Sequence, residues 1–488
     1  MLTLHERARA AGIALQWRDV FGQEQIVSDD SLRAVLDALG EDEPLPGLPP
    51  LLTVWVGEET ALPRPGAYCV RLEGGGVLEG TGVVLPGIAE PGYHRLEYGG
   101  AETVLAVARS RAYTLEDAGG GEKLWGLTVQ LYGLRRAQGG GIGDFRALEE
   151  FARAAARHGA AAIGISPAHA LFAADVNRYG PYAPSSRAAL NVLHIARDMP
   201  DEEGALIDWP GAAARKLAAL REDFAHSHDH AGLAAFRAES GVGLERHAVF
   251  EALAEVLTRN NPAALNWRNW PEAYRHPENP AVVRFVEENE NLVAFHAWLQ
   301  FRAGQDLGAA QAAAKAAGAK IGLIADLAVG TDHAGSQSWS RQAEMLAGLE
   351  IGAPPDLLNR EGQAWGITSF SPRGLRRSGF AGFIEMLRHA LRHAGGVRID
   401  HVMGLSRLWV VPRGRASAEG AYIDMPVDEL LRLVTLESWR HKAVILGEDL
   451  GTVPPDFGAR LTAAGIAGLR VMWFERGGAG FTPPAAWT

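Results

Sequence analysis

Three acidic residues stand where apolar runs end: Asp326 in IGLIADLAVG, Asp400 in GVRIDHVMGL and Glu448 in AVILGED. Each run is short and glycine-bounded and reads as a strand, so side chains two residues apart share a face. Asp400 therefore shares a face with Arg398. Asp326 follows Gly322 and Ile324, and Glu448 follows Val444 and Leu446, so an inner apolar layer ends in a carboxylate on each strand. An arginine two residues from an aspartate on an apolar strand must meet something polar, whether a partner acid, a substrate or water in a cleft. Carboxylates gathered at strand ends can do acid–base or nucleophilic work. Two structural readings compete: an ion pair at a strand end, and capping of the next helix, which would account for Asp449.

The elements that must hold these acids in place are parallel strands. Beyond residue 122, strand-like runs at 126–134, 160–167, 321–330, 396–400, 443–449 and 469–475 alternate with helical patterns. Near-continuous apolar strands, each followed by a helix, predict a parallel α/β sheet or barrel. In a parallel barrel the C-terminal strand ends form the active face, so acids there read as catalytic. A helix-rich insertion is expected over 190–318.

The first 115 residues read differently. Two helical patterns fill residues 1–40, the second starting at Ser28 as N-cap and closing at Gly40. A proline-rich joint follows at 44–50. Short alternating runs from 51 to 108, separated by Gly and Pro turns, predict a small antiparallel sheet. The glycine-rich stretch 116–122 reads as a linker, which places a boundary between an N-terminal extension, 1–115, and a catalytic domain, 123–488.

Composition narrows the function. The chain has 488 residues, 47% hydrophobic and 22% charged, and no apolar run of membrane-spanning length. The start carries no secretory signal pattern. A single cysteine, Cys69, read as a core residue, suits a reducing cytoplasm and rules out an internal disulfide. The net charge of −11 argues against nucleic acid as a partner. One basic stretch, Arg373 to Arg377 with Arg388, His389, Arg392 and His393, reads as a solvated helix face because no aromatic residue is interleaved for base stacking. Thirteen tryptophans beside strand-end carboxylates are what a sugar-handling cleft needs.

Other motifs point nowhere as firmly. QGGGIGD, 138–144, lacks the lysine of a phosphate loop and the dinucleotide spacing, and Asp144 reads as a helix N-cap. His226, His228, Asp229 and His230 form a polar turn without a further ligand cluster, so no metal is expected. Ser166, Ser185 and Ser186 lack a nucleophile elbow.

In combination and order, NRYGPYAPSSR (177–187), DLAVG (326–330), IGAPPDLLNREGQAWG (351–366), RIDHVMGL (398–405), GAYIDMPVDELL and LGEDLGTVP (446–454) resemble the 4-α-glucanotransferases of glycoside hydrolase family 77, the amylomaltases or disproportionating enzymes. The first 110 residues resemble the N-terminal extension of the bacterial type. The resemblance implies a (β/α)8 barrel, of which about six of eight strands are recognisable, with no cofactor and with maltooligosaccharides and α-1,4-glucans as substrates. It places the nucleophile at Asp400 and the general acid/base at Glu448. It makes Arg398 and His401 supports of the nucleophile and the sugar. Tyr182, Asp326, Gln363 and Trp365 fall on substrate-contacting positions, and Asp356 on a mobile acceptor-side loop. Ile367-Thr368-Ser369 stands where the family has proline, which alters that loop.

The implied reaction is a retaining double displacement, in which one carboxylate attacks the anomeric carbon and the other protonates the leaving oxygen. Arg398 would favour the charged form of Asp400, and an apolar setting would keep Glu448 protonated. The family also has a third carboxylate, in a Thr-His-Asp motif after LRVMWFE. Here the only His-Asp dipeptide is His228-Asp229, before the third strand. The expectation is therefore a sequence that is part of a longer chain, poorly stable and largely inactive alone. Two alternatives stand beside it: an amylase-like hydrolase, which shares the carboxylates, and a non-catalytic glucan-binding protein.

Overall fold

The computed structural model describes residues 2–19, 21–40, 47–200, 204–259, 261–356, 359–477 and 480–486. Its centre is a six-stranded, all-parallel sheet with neighbours in chain order: Gly126–Val129, Ala162–Ile165, Gly322–Leu327, Gly396–Ile399, Val444–Gly447 and Ala467–Gly468. Sequential parallel order with intervening helices is the arrangement of a (β/α) barrel. The register aligns Ala325, Val397 and Ile445 in one row and Asp326, Arg398 and Leu446 in the next. Since alternate residues face opposite sides, the first row packs under helices such as Ala381–Leu391 and Val427–His441, where Val397 and Ile445 are buried. The second row faces the barrel interior and carries the charges.

The sixth strand differs from expectation. Ala467–Gly468 pairs with Leu446 and Gly447, whereas LRVMWFE turns, leaving Met472, Trp473 and Phe474 exposed. No strand flanks that run among the described residues, so its apolar side chains have no face to bury.

A second sheet, antiparallel and five-stranded, was not legible in the pattern of parallel strands. Its order is Thr331–Asp332, Gln363–Thr368, Leu349–Ala353, Arg407–Pro412 and Ala421–Asp424. Both halves of it are inserted after the strands that carry Asp326 and Asp400, so it stands over the acidic edge. Ile367-Thr368 ends its Gln363–Thr368 strand and pairs with Thr331–Asp332. The N-terminal helices lie against it. Leu4–Ala10 is held by a capping box between Thr3 and Glu6, and Asp29–Leu39 by Ser28 accepting from Ser31 N, with Gly40 at its end. Ile13, Leu32, Val35 and Leu36 share one core with Leu349, Val410 and Ile423. A hairpin, Gln16–Arg18 with Glu24–Ile26, separates the helices.

The sheet over 51–108 has the order Leu51–Trp55, Ala101–Ala108, Gly92–Tyr98, Thr60–Arg71, Val77–Leu85. Contrary to expectation it is mixed, because Leu51–Trp55 runs parallel to Ala101–Ala108. Cys69 on this sheet is half-buried and not a core residue. Of the proline-rich joint, residues 44–46 lie outside the described residues. Within 116–122 the chain forms a short helix, Leu115–Gly119, capped by Thr114 and closed by left-handed Gly120.

Between 190 and 318 the long helices are Trp209–Ala225, His230–Thr258, Pro280–Glu288 and Glu290–Ala316. The last belongs to the barrel layer, since Ala303, Leu307 and Ala310 share a core with Phe145, Leu148 and Leu323. No helix among the described residues is long and apolar enough to cross a membrane.

Candidate active site

The acidic edge is assembled by backbone pairing. Asp400 follows Ile399, and Glu448 follows Gly447, its partner on the neighbouring strand. Asp400 N donates to Leu327 O at 3.0 Å, and Glu448 N donates to Ile399 O at 3.0 Å. The two carboxylates thus sit side by side at adjacent strand ends. Arg398 lies two rows deeper, level with Asp326. Its guanidinium reaches Asp326 Oδ1 at 2.6 Å and Asp400 Oδ1 at 2.9 Å, and Tyr182 Oη donates to Asp326 Oδ2 at 2.7 Å. A continuous chain of charge-assisted bonds runs from Tyr182 to Asp400.

The turn after Asp400 is built to hold Glu448. His401 adopts φ 48°, ψ 61°, a left-handed conformation that non-glycine residues rarely take. This turn aims His401 N at Glu448 Oε2, 3.0 Å away, while Leu450 N donates to Glu448 Oε1 at 2.9 Å. Gly447 makes room for it: a Cβ there would come within 3.0 Å of the Val402 side chain. The His401 ring stands edge-on to Trp365, 5.4 Å between centroids, and Trp365 Nε1 donates to Gln363 Oε1 at 3.1 Å. A wall of the cleft is thus a half-buried tryptophan beside an imidazole.

Electrostatics separate the groups. Burial pushes Glu448 above the ordinary carboxylate range, against the pull of the Leu450 and His401 amides and Arg398, and the charge of Asp400 adds to the rise. Asp326 is also raised by burial, although Arg398 and Tyr182 pull it down. For Arg398, burial works downward but is outweighed by Asp326 and Asp400, which hold it above its ordinary value. Burial lowers His401, so its ring is neutral near pH 7. The oxygens of Glu448 each keep a lone pair beyond the backbone donors, which leaves room for a proton.

The structure brings Asp400, Glu448, Arg398, His401, Tyr182, Asp326, Gln363 and Trp365 into one linked group. Asp356 stands apart. Its carboxylate accepts from Asn359 N at 2.6 Å, and it lines a different cleft with Trp17, Phe21 and Arg360. Two supporting residues escaped the sequence reading. Buried Arg187 donates to Val329 O at 2.9 Å, and buried His169 Nε2 accepts from Ala328 N at 3.2 Å, so both grip the chain just past Asp326. The signal for Arg187 was a lone cation entering an apolar strand, Ser186–Leu190.

The competing motifs have structural employment. Asp144 caps the Phe145–Arg157 helix through Ala147 N and pairs with Arg136 at 2.7 Å. Asp229 caps His230–Thr258, and His226, His228 and His230 are exposed around it. Asp449 does not cap a helix; it accepts from Leu469 N at 2.8 Å and so joins the last two parallel strands. Ser166 accepts from Leu131 N and Ser185 from Ser336 N. Much of the basic stretch is the solvated face expected, with Arg376, Arg377, Arg388 and Arg392 exposed. Arg373 donates to Leu39 O and Gly40 O, while Arg388 pairs with Glu437 and Arg392 with Glu239 from neighbouring elements.

Comparison with known proteins points to one family. The family model for 4-alpha-glucanotransferases of glycoside hydrolase family 77 matches residues 129–488. A 4-alpha-glucanotransferase of Mycobacterium bovis is 32% identical, over 97% of this chain and 75% of its own length. One from Haemophilus influenzae is 33% identical over 73% of this chain and 56% of its own. The crystal structure of amylomaltase from Corynebacterium glutamicum superimposes with a TM-score of 0.83 at 27% identity, covering 98% of this chain and 76% of that one. With its strand-end acids in sequential parallel strands and this breadth of similarity, the chain belongs to the 4-alpha-glucanotransferase family.

Proposed function

We propose that this protein transfers α-1,4-glucan segments between maltooligosaccharides by a retaining double displacement, with Asp400 as nucleophile and Glu448 as acid and then base. The observation that carries the reading is the pair of carboxylates on adjacent strand ends, one held by Arg398 and the other raised by burial. Asp400 attacks the anomeric carbon as Glu448 protonates the departing oxygen. Glu448 then takes a proton from the incoming hydroxyl, and the acceptor sugar replaces Asp400. Arg398 and Asp326 fix the nucleophile. Tyr182, His401, Gln363 and Trp365 bind the sugar at the cleavage point, and Asp356 serves the acceptor side from its loop.

In this reading residues 123–488 are the catalytic domain and 1–115 an extension that braces the antiparallel sheet above the site. The balance of acidic residues disfavours nucleic acid as a partner. The single cysteine supports a cytoplasmic setting. Incubation with maltosyl fluoride followed by peptide mass spectrometry tests the assignment. The expected result is a maltosyl adduct on the peptide containing Asp400, absent in Asp400→Asn; an adduct elsewhere overturns it. Maltotriose separates transfer from hydrolysis: transfer yields glucose together with longer oligosaccharides, hydrolysis yields reducing ends without chain growth.

A further inference from the structure

The chain that carries Asp326 crosses from one sheet to the other within three residues. Leu327 is the last residue of Gly322–Leu327 in register with the neighbouring parallel strand, and Thr331–Asp332 already pairs with Gln363–Thr368 of the antiparallel sheet. Ala328, Val329 and Gly330 are therefore the joint. Ala328 is 1% exposed, so its peptide groups, past the end of the parallel ladder, need partners other than water.

Those partners are side chains from three other segments. Ala328 N donates to His169 Nε2 at 3.2 Å. Arg187 Nη1 donates to Ala328 O at 3.4 Å and to Val329 O at 2.9 Å, and Ser369 Oγ donates to the same Val329 O at 3.1 Å. Gly330 lets the chains close on one another, since a Cβ there would lie 2.6 Å from Thr368 O. Arg187 also reaches Gln337 Oε1 through Nε at 3.2 Å, and its guanidinium lies 5.0 Å from the centre of the Phe370 ring. Acceptors spread around a planar fork suit arginine and not the single head of a lysine. His169 accepts from an amide, so its Nε2 must carry no proton; burial, and then the charge of Arg187, hold the ring neutral.

Each side of the joint bears part of the sugar site. Asp326, tied to Tyr182 and Arg398, lies two residues before Ala328. Gln363–Thr368 carries Gln363 and Trp365, and Ser369 follows it directly. The stretch Ile367-Thr368-Ser369, which departs from the family resemblance, thus ends in a hydroxyl that bonds back to the chain leaving the barrel strand.

We infer that Arg187 and Ser369 are positioning residues for the transfer reaction, which lock residues 328–330 and so hold the Trp365 wall at a fixed distance from Asp326, Arg398 and Asp400. The role in transfer rests on the proposed function; the joint itself rests on its hydrogen bonds.

The test is the kinetics of maltosyl fluoride labelling at Asp400 in the full chain, with the folded fraction of each variant fixed by urea unfolding. Per folded molecule, Ser369→Ala should lower the ratio of labelling rate to half-saturating concentration about fivefold, as loss of one hydrogen bond does. Arg187→Lys should lower it about a hundredfold, the scale of a misplaced reacting geometry. Ser438→Ala is the control: it removes a buried hydroxyl that donates to Ala443 O at 2.7 Å, ahead of the Glu448 strand, and should lose stability with labelling unchanged. If Ser369→Ala behaves like Ser438→Ala, or Arg187→Lys labels at the full rate, the inference is overturned. Hydrogen exchange gives a reading independent of the chemistry. Ser369→Ala should lose protection at 328–332 and at 363–368 together, and unchanged protection there overturns the joint. A wild-type chain that takes no label at Asp400 removes the proposed function and the reaction role of the joint with it, an outcome distinct from labelling that the variants leave untouched.

Discussion

Two strands in this molecule carry an arginine two residues before an acid, and they use it differently. On Gly92–Tyr98, Arg95 and Glu97 face solvent, where they pair across strands with Glu102 at 3.2 Å and Arg71 at 2.9 Å. On Gly396–Ile399 and its continuation, Arg398 and Asp400 face the barrel interior, where Arg398 also meets Asp326, itself only 7% exposed. Exposed pairs are screened and contribute about 0–1 kcal/mol. Partly buried ones are held by the expense of leaving any member unpaired. The same local spelling is thus surface decoration in one sheet and a geometric clamp in the other. The ion-pair reading and the active-site reading of Arg398 are not rivals, because the pair is what positions the acid.

The sharpest way to break this contrast is at the acid. Asp400→Asn should lower transfer by roughly ten-thousand-fold or more, as loss of a covalent nucleophile does, while Glu97→Gln leaves the rate unchanged; oligosaccharide chromatography from maltotriose reads both. At the cation, Arg398→Met leaves Asp326 and Asp400 unpaired in a partly buried site and should destabilise the fold by about 3 kcal/mol. Arg71→Met should stay within about 0.5 kcal/mol, and urea unfolding compares them.

Burial can also be probed by acid. Burial lowers His169 and His247 to about 3 and His194 to about 4. Their unfolded forms bind protons below about 6.5 while the folded forms do not. Stability is therefore fully present above that pH and falls as pH drops toward the folded values, by up to about 1.4 kcal/mol per pH unit for each group. Melting curves between pH 7.5 and pH 5 should show this decline. The smallest effect is expected at Tyr182→Phe, which removes one donor from Asp326. Tyr182 is 45% exposed, so about 1 kcal/mol, or roughly a fivefold fall in kcat/KM, is the expected loss.

Much of this site was legible because strands encode their two faces locally. Alternation in IGLIADL, GVRID and AVILGE placed the acids at strand ends with an apolar layer below, and Asp144, Ser28 and Gly40 announced helix boundaries. What escaped depended on partners. The run LRVMWFE has the composition of a strand yet turns, since strand formation requires a neighbour. RLWVVP and AYID, separated by a polar turn, form a hairpin of the second sheet, a signal overshadowed by the parallel strands. Arg388 and Arg392 are exposed as their helix pattern suggested, but that pattern does not reveal their partners, Glu437 and Glu239, on other elements.

The sequence by itself determined which residues could be charged at a strand end, since side-chain direction on an extended chain follows from counting by two. Only the tertiary structure decided their partners. Tyr182 reaches Asp326 across 144 residues, Arg398 reaches it across 72, and His401 N reaches Glu448 across 47. Those meetings depend on strand order, on register and on the left-handed turn at His401. All three are set by packing over the whole barrel, because no local interaction favours them.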